Sequence, residues 1–298
     1  MAACRSNDHV ATMGHSSCCR ILALLSLAQL GHTTKASSME LAAAADALLG
    51  SVRFDDTVGR DERFTVAANE AEEDAHGAYG EMPFLGMAEI LSHPIIHGLQ
   101  PRRNFVDFGS GSGRLVLGVA AMDGLFESVV GVEALEGLHA IACSSIQSAA
   151  DTGAVAPEWV RSIRSATPFP HADPAVAAAL RSADVCFMYS TAFPSEDGLR
   201  LPQLSASLAC LLKEGCVVVT TDKFLVGDRY QFEALLPVTG ADGEQICAFF
   251  WRVGLPPADS YDAALEDVET RWMGEDACED NPEACEALLA AIGDEDGE

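Results

Sequence analysis

Residues 107–113 read Asp-Phe-Gly-Ser-Gly-Ser-Gly, and 26 residues after Asp107 a second carboxylate, Glu133, closes another apolar run. Glycines at 109, 111 and 113 allow positive φ angles and a close approach of backbone to ligand. The helix expected to follow supplies unpaired N–H groups and the positive end of its dipole. A dinucleotide site asks for G-x-G-x-x-G. Here position 114 is arginine, so the third glycine slot fails. Asp107 would repel a pyrophosphate but pair with the ammonium of an amino-acid-bearing ligand such as S-adenosylmethionine. Glu133, at a strand tip, can accept hydrogen bonds from both hydroxyls of a ribose, each worth about 1.5–3 kcal/mol when shielded. Nicotinamide cofactors share that ribose contact. Together with Asp107 and the loop spacing it favours S-adenosylmethionine over a nicotinamide cofactor or a non-catalytic relic.

The elements that must hold these residues alternate. Phe105–Phe108 is a short apolar strand, Arg114–Met122 a helix, and Ser128–Val132 a second strand ending at Glu133. Leu135–Ala150 reads as a helix closed near Gly153, Val160–Arg164 as a third strand and Asp184–Tyr189 as a fourth. A helix over Leu199–Leu212, a strand over Cys216–Thr221 and a hairpin of Phe232–Val238 with Gln245–Val253 complete the pattern. Alternation implies a doubly wound, mostly parallel seven-stranded sheet, and the short last connection makes the terminal pair antiparallel. This is the Rossmann-like architecture of a class I methyltransferase. Upstream, Met39–Leu49 reads as a helix stopped by Gly50, residues 54–77 as a polar, acidic cover, and Phe84–Leu91 as a helix ended by His93-Pro94.

Composition narrows the function. The chain has 298 residues and a formal charge of −27, with 49% hydrophobic residues. That is a folded protein with a sizeable core, and its charge argues against a general nucleic-acid binder. No apolar run reaches the roughly 18–20 residues of a membrane span. Residues 259–298 hold 15 acidic residues and one basic, Arg271, which reads as a solvated, partly helical tail. Ten cysteines are scattered without C-x-x-C or Cys/His ligand spacing, so no metal site is expected. Cys143, Cys186, Cys216 and Cys247 read as small buried hydrophobes. Ile21–Leu30 follows Arg20 and precedes small residues, in the order of a secretory or organelle-entry signal or of a short buried helix.

Tyr79-Gly80-Glu81, the Phe105–Gly113 strand and turn, and Gly131-Val132-Glu133 resemble the disruptor-of-telomeric-silencing (DOT-type) histone-lysine methyltransferases over roughly residues 79–253. The Tyr-Gly-Glu element is the specific part. In that family it closes over the cofactor, so the resemblance implies that Tyr79 and Glu81 line the cofactor and the methyl-transfer channel. It further implies that Asp107, Gly109 and Gly111, flanked by Ser110, Gly113 and Arg114, hold the amino-acid end of S-adenosylmethionine, and that Glu133 holds the ribose. The family's Asn-Asn-Phe-Ala-Phe corresponds to Tyr189-Ser190-Thr191-Ala192-Phe193, which keeps Ala192 and Phe193 but neither asparagine. Tyr189 and Phe193 would wall the acceptor channel, and Phe169 would stack on adenine. The basic segment by which the family reaches nucleosomes is missing.

The expected organisation is a leader-like or disordered segment (1–38), a helical extension with the covering loop (39–98), the cofactor-binding domain (99–256) and the acidic tail (257–298). No Asn/Asp-Pro-Pro-Tyr/Phe motif follows the fourth strand, which argues against flipped bases as acceptors, and no G-x-S-x-G elbow is present. His93 and His97 read as loop residues rather than a base or metal pair. The expected activity is methyl transfer to a protein lysine, histones included. The alternatives are a non-histone protein or small-molecule acceptor, or a silent cofactor-binding module. A histone acceptor implies the nucleus, and a functional leader over 20–36 implies a plastid or the secretory route.

Overall fold

Strand residues of this chain alternate between two apolar layers, and that alternation builds the domain. The structure, a computed structural model, describes residues 36–293 apart from 53, 55–58, 75–78, 100–102, 123–125, 166–169, 241–242, 274–277 and 279–280. The leader-like run and Phe169 lie outside the described residues. Ser37–Glu298 forms one unit.

The elements in chain order are α1 (Ser38–Ser51), α2 (Arg60–Asp74), α3 (Phe84–Ser92), a single helical turn Pro94–His97, β1 (Asn104–Phe108), α4 (Arg114–Met122), β2 (Ser128–Glu133), α5 (Glu136–Asp151), β3 (Val160–Arg164), α6 (Pro174–Ser182), β4 (Val185–Met188), α7 (Pro202–Ala209), β5 (Val217–Thr221), β6 (Tyr230–Thr239), β7 (Gln245–Val253), α8 (Tyr261–Arg271) and α9 (Pro282–Gly293). The seven strands lie in the order β3-β2-β1-β4-β5-β7-β6. β1 to β5 are parallel, whereas β7 is antiparallel to both β5 and β6. This is the expected Rossmann-like sheet with its terminal hairpin.

Phe105, Val129, Val185, Phe187, Val217 and Phe250 point into one layer with α1, α3 and α4. Val106, Val130, Cys186, Val218, Phe249 and Trp251 point into the other with α6 and α7. Each fully buried side chain of this size contributes roughly 1.5–3 kcal/mol. Strand order reverses between β1 and β4, so a crevice is expected beyond the carboxyl ends of those strands.

Several elements differ from the sequence reading. α1 runs through Gly50 to Ser51, because Gly50 stays helical and Val52 provides the cap. The polar stretch after residue 54 contains helix α2, which buries Arg63 and Ala67. Helix α6 was not expected, although Asp173 caps it through Ala175 and Val176 and Pro174 sits in its first turn. The helix expected from Leu199 starts only at Pro202, since Leu199 and Leu201 exchange backbone hydrogen bonds with Phe224. Cys143 is exposed on α5, while Cys186, Cys216 and Cys247 are buried as expected.

The acidic tail is not simply solvated. Ala264 and Val268 on α8 and Ala284 and Cys285 on α9 are buried, and a disulfide joins Cys278 to Cys285. Arg200 donates to the Trp272 carbonyl at 3.2 Å, and Arg271 pairs with Asp228 at 2.6 Å. No helix of the described residues is long and apolar enough to cross a membrane. Truncation after residue 256 is therefore expected to lower the melting temperature by roughly 5 °C or more. An unchanged melting temperature would show that the tail helices add nothing to the fold.

Candidate active site

β1 and β2 are in parallel register with Asp107 opposite Gly131, so their carboxyl ends place Asp107 and Glu133 close together. Both are buried, at 2% and 6% exposure. The intervening loop takes φ +84° at Gly109, +55° at Gly111 and +75° at Gly113, a left-handed sequence that L side chains resist. That conformation docks the loop onto the end of β2. Gly109 and Ser110 donate their N–H groups to the Val132 carbonyl at 2.8 and 2.9 Å. Gly111 donates to Glu133 Oε2 at 2.6 Å, and Leu135 donates to Oε1 at 2.8 Å.

Glu133 is thus held by charge-assisted hydrogen bonds. Asp107 is not: among the described residues no hydrogen-bond donor reaches its carboxylate. Burial and then the neighbouring Glu133 push its pKa up to about 8. A carboxylate in low dielectric beside another keeps its proton until a cation arrives.

Three aromatic rings gather on the loop and its cover. A Cβ added at Gly111 would meet the Tyr79 ring at 2.6 Å, one at Gly109 the Phe193 ring at 3.0 Å, and one at Gly80 the Tyr189 ring at 2.6 Å. The backbone is bare where the rings come closest. The Tyr79 hydroxyl donates to Glu81 Oε1 at 2.7 Å and lies 3.2 Å from Ser112 Oγ. Burial, then the Glu81 charge, keeps that phenol protonated well above the ordinary tyrosine range. Burial alone would raise Glu81, but hydrogen bonds from Arg63 and Tyr79 outweigh it and hold the carboxyl below its usual range.

The structure therefore brings Tyr79, Glu81, Asp107, Gly109, Gly111, Glu133, Tyr189 and Phe193 to one place. Of the expected cofactor residues Gly113 and Ser110 face elsewhere, while Arg114 is near enough for its charge to help hold the Glu81 carboxyl down. Gly113 gives room to Ala142 of α5, whose Cβ lies 2.8 Å from where its own would be. The Ser110 hydroxyl is buried without a hydrogen-bond partner and points at Gly131 on β2. Arg114 lies over the Phe84 ring, 4.0 Å from its centroid. His93 caps the turn at Ile95 and stacks on Phe250, a structural role.

A brace that no local sequence motif announces underlies residues 190–193. Ser190 Oγ donates to the Thr221 carbonyl at 2.7 Å and accepts the Thr221 N–H at 2.9 Å. Thr191 Oγ1 donates to Asp222 Oδ2 at 2.7 Å, and Lys223 Nζ donates to the carbonyls of Thr191 and Phe193. Asp222 sits at φ +57°, the one non-glycine in the left-handed region among the described residues. The one available signal was position: Thr-Asp-Lys directly follows an apolar strand at the ligand end of an α/β sheet.

The family model of the histone methylation protein DOT1 matches residues 69–235, more than half of the chain. No curated protein matches it. Among solved structures the chain is similar to TrmN from Thermus thermophilus, at 16% identity and a TM-score of 0.41 over 64% of this chain and 52% of that one. It thus spans about half the length of that structure. It is also similar to the rRNA methyltransferase aviRa from Streptomyces viridochromogenes, at 13% identity and a TM-score of 0.42 over 65% and 89% of the two chains. Fibrillarin from Aeropyrum pernix, solved with natively bound S-adenosyl-L-methionine, is similar at 9% identity and a TM-score of 0.37 over 63% and 73%. The family match alone carries the assignment.

The residues present fit S-adenosylmethionine. A buried carboxylate without a donor asks for an ammonium, and the glycine loop beside it carries no side chains of its own beneath the Tyr79 and Phe193 rings. Ionising Asp107 to pair with that ammonium is favoured as the pH rises toward about 8. Cofactor affinity is therefore expected to rise with pH toward that value and to fall again once the cofactor's own ammonium loses its proton. Asp107→Asn should abolish the slope and weaken binding about tenfold or more. Because the folded-state pKa is raised from 3.8 to about 8, the cofactor-free protein loses stability as pH climbs through that interval. Asp107→Asn should remove this loss, leaving the variant more stable than the wild type at alkaline pH. Calorimetry and melting curves across the range check both, and a flat affinity profile in the wild type would contradict the assignment.

Proposed function

The chain belongs to the DOT1 histone methylation protein family, and from that premise we propose that it methylates a lysine side chain of a basic protein. As a member of that family it is an S-adenosylmethionine-dependent methyltransferase. The lysine reading rests on one observation, the three aromatic rings of Tyr79, Tyr189 and Phe193 set against Gly111, Gly80 and Gly109. We assign Asp107, Gly109, Gly111 and Glu133 to cofactor binding, Tyr79 and Glu81 to the cover, and Tyr189 and Phe193 to the acceptor wall.

When bound, S-adenosylmethionine supplies an electrophilic methyl group on a sulfonium. The chain's own task is to align the acceptor and exclude water. Aromatic faces attract an ammonium through their quadrupoles. The same apolar walls favour the neutral amine that attack requires. Tyr79 remains a hydroxyl donor to Glu81, so it serves to fix the cover rather than to take a proton. Lys223 and Ser190 fix the loop carrying Phe193 through backbone carbonyls and the end of β5. The net charge of −27 suits a basic partner.

A second reading, a non-histone protein or small-molecule acceptor, draws on a specific observation. Where the resembling family has asparagines this chain has Tyr189 and Ser190, and the Ser190 hydroxyl is already committed to the Thr221 backbone. A histone acceptor would place the protein in the nucleus.

Transfer of tritiated methyl from S-adenosylmethionine to core histones, nucleosomes and free lysine tests the reading. Histone labelling is expected, and Phe193→Ala should lower kcat about 100-fold by misplacing the acceptor while leaving cofactor affinity nearly intact. Labelling of a small amine with no histone labelling would favour the second reading. Equal labelling by Phe193→Ala would remove that residue from the channel.

A further inference from the structure

Arg63 lies on α2, upstream of the residues that match the family. It is 1% exposed, the most enclosed cation among the buried polar residues of the described chain. Its guanidinium grips Glu81 at both oxygens, Nε to Oε1 at 2.6 Å and Nη2 to Oε2 at 2.9 Å. It also lies over the Phe54 ring, 5.0 Å from the centroid. Glu81 Oε1 in turn accepts the Tyr79 hydroxyl, whose ring covers Gly111. An unbroken chain of contacts thus runs from α2 through Glu81 and Tyr79 to the glycine loop.

Among its described side chains, the apolar support of α2 is small. Ala67 and Val66 meet Tyr79, Leu135, Leu138 and Ile141 in a satellite cluster separate from both large layers. Phe64 makes an edge contact with Tyr79 at 4.9 Å. An element with so few buried apolar contacts opens locally well before the sheet does. Tyr79 lies directly on the backbone of Gly111, so a ligand that reaches that backbone has to displace the ring.

A buried ion pair suits that duty. Its Coulomb energy is largely offset by the hydration both charges regain when they separate, so it defines the closed geometry without locking it. Its planar fork also orients Glu81, which an ammonium could not do.

We propose that Arg63 is a positioning residue that latches α2 and the Tyr79–Glu81 strap onto the glycine loop and sets how long the cofactor stays bound. This rests on the reading that the loop beneath the strap holds S-adenosylmethionine.

Two measurements on the full chain test it. Hydrogen exchange of the cofactor-free protein reads closure directly, and dissociation of labelled S-adenosylmethionine reads retention. In Arg63→Met, exchange over residues 60–74 and cofactor dissociation should both speed up by roughly 100-fold or more, with exchange in β1, β2, β4 and β5 unchanged. Arg63→Lys, which keeps the charge but loses the fork, should fall between. A folded Arg63→Met with wild-type exchange over α2 and wild-type dissociation would overturn the proposal, even if its melting temperature drops. Should Arg63→Met not fold, Arg63→Lys decides by the same two readouts. If the wild type binds no S-adenosylmethionine, the cofactor reading fails, and the exchange of α2 still decides whether Arg63 is a latch.

Discussion

Two carboxylates that share one buried corner impose the constraint on which the rest of this site depends. Asp107 and Glu133 end adjacent parallel strands, and both are almost fully enclosed. Two like charges cannot both be ionised there without compensation. Glu133 receives its compensation from the backbone, through the N–H groups of Gly111 and Leu135. Asp107 receives none and keeps its proton. The left-handed glycines follow from this: only a loop that folds back onto the end of β2 can deliver the Gly111 N–H to Glu133. The cover follows too, since excluding water raises the value of any cation that reaches Asp107.

The ends of β4 and β5 obey a different logic. Tyr189 and Phe193 extend from the end of β4 and would be loose if held by their own segment alone. Thr221, Asp222 and Lys223 at the end of β5 fix them through hydroxyls, a carboxylate and backbone carbonyls. Asp222 accepts a left-handed backbone to bridge Thr191 and the Cys247 N–H. Strain of this kind, roughly 1–3 kcal/mol, persists where surrounding contacts over-determine a functional geometry. In the proposed reading the two strand ends thus divide the work, one taking the cofactor's charged end and the other walling the acceptor.

The sheet and the cofactor loop were legible because local signals agree there. An apolar run, alternate glycines and a helix in immediate succession fix both conformation and chemistry, so Asp107 and Glu133 could be paired across 26 residues. The supports were not legible, because each depends on residues distant in sequence. Arg63 looks like one more charge in a polar stretch until Glu81 is placed beside it. Lys223 looks exposed until the carbonyls of Thr191 and Phe193 surround it. Gly113 and Ser110 share the spacing of Gly109 and Gly111 but serve helix and strand packing, a distinction spacing alone cannot make. In the tail, acidic residues obscured the buried pairs Ala264/Val268 and Ala284/Cys285, which carry the docking.

In the proposed reading Asp107 waits, protonated, for an ammonium. The most direct measurement counts protons released when S-adenosylmethionine binds, from calorimetry at neutral pH in buffers of different ionisation enthalpy. Release of close to one proton per site, lost in Asp107→Asn, is the predicted result. Binding without proton release in the wild type would show that Asp107 is already ionised or plays no part, and would contradict the account.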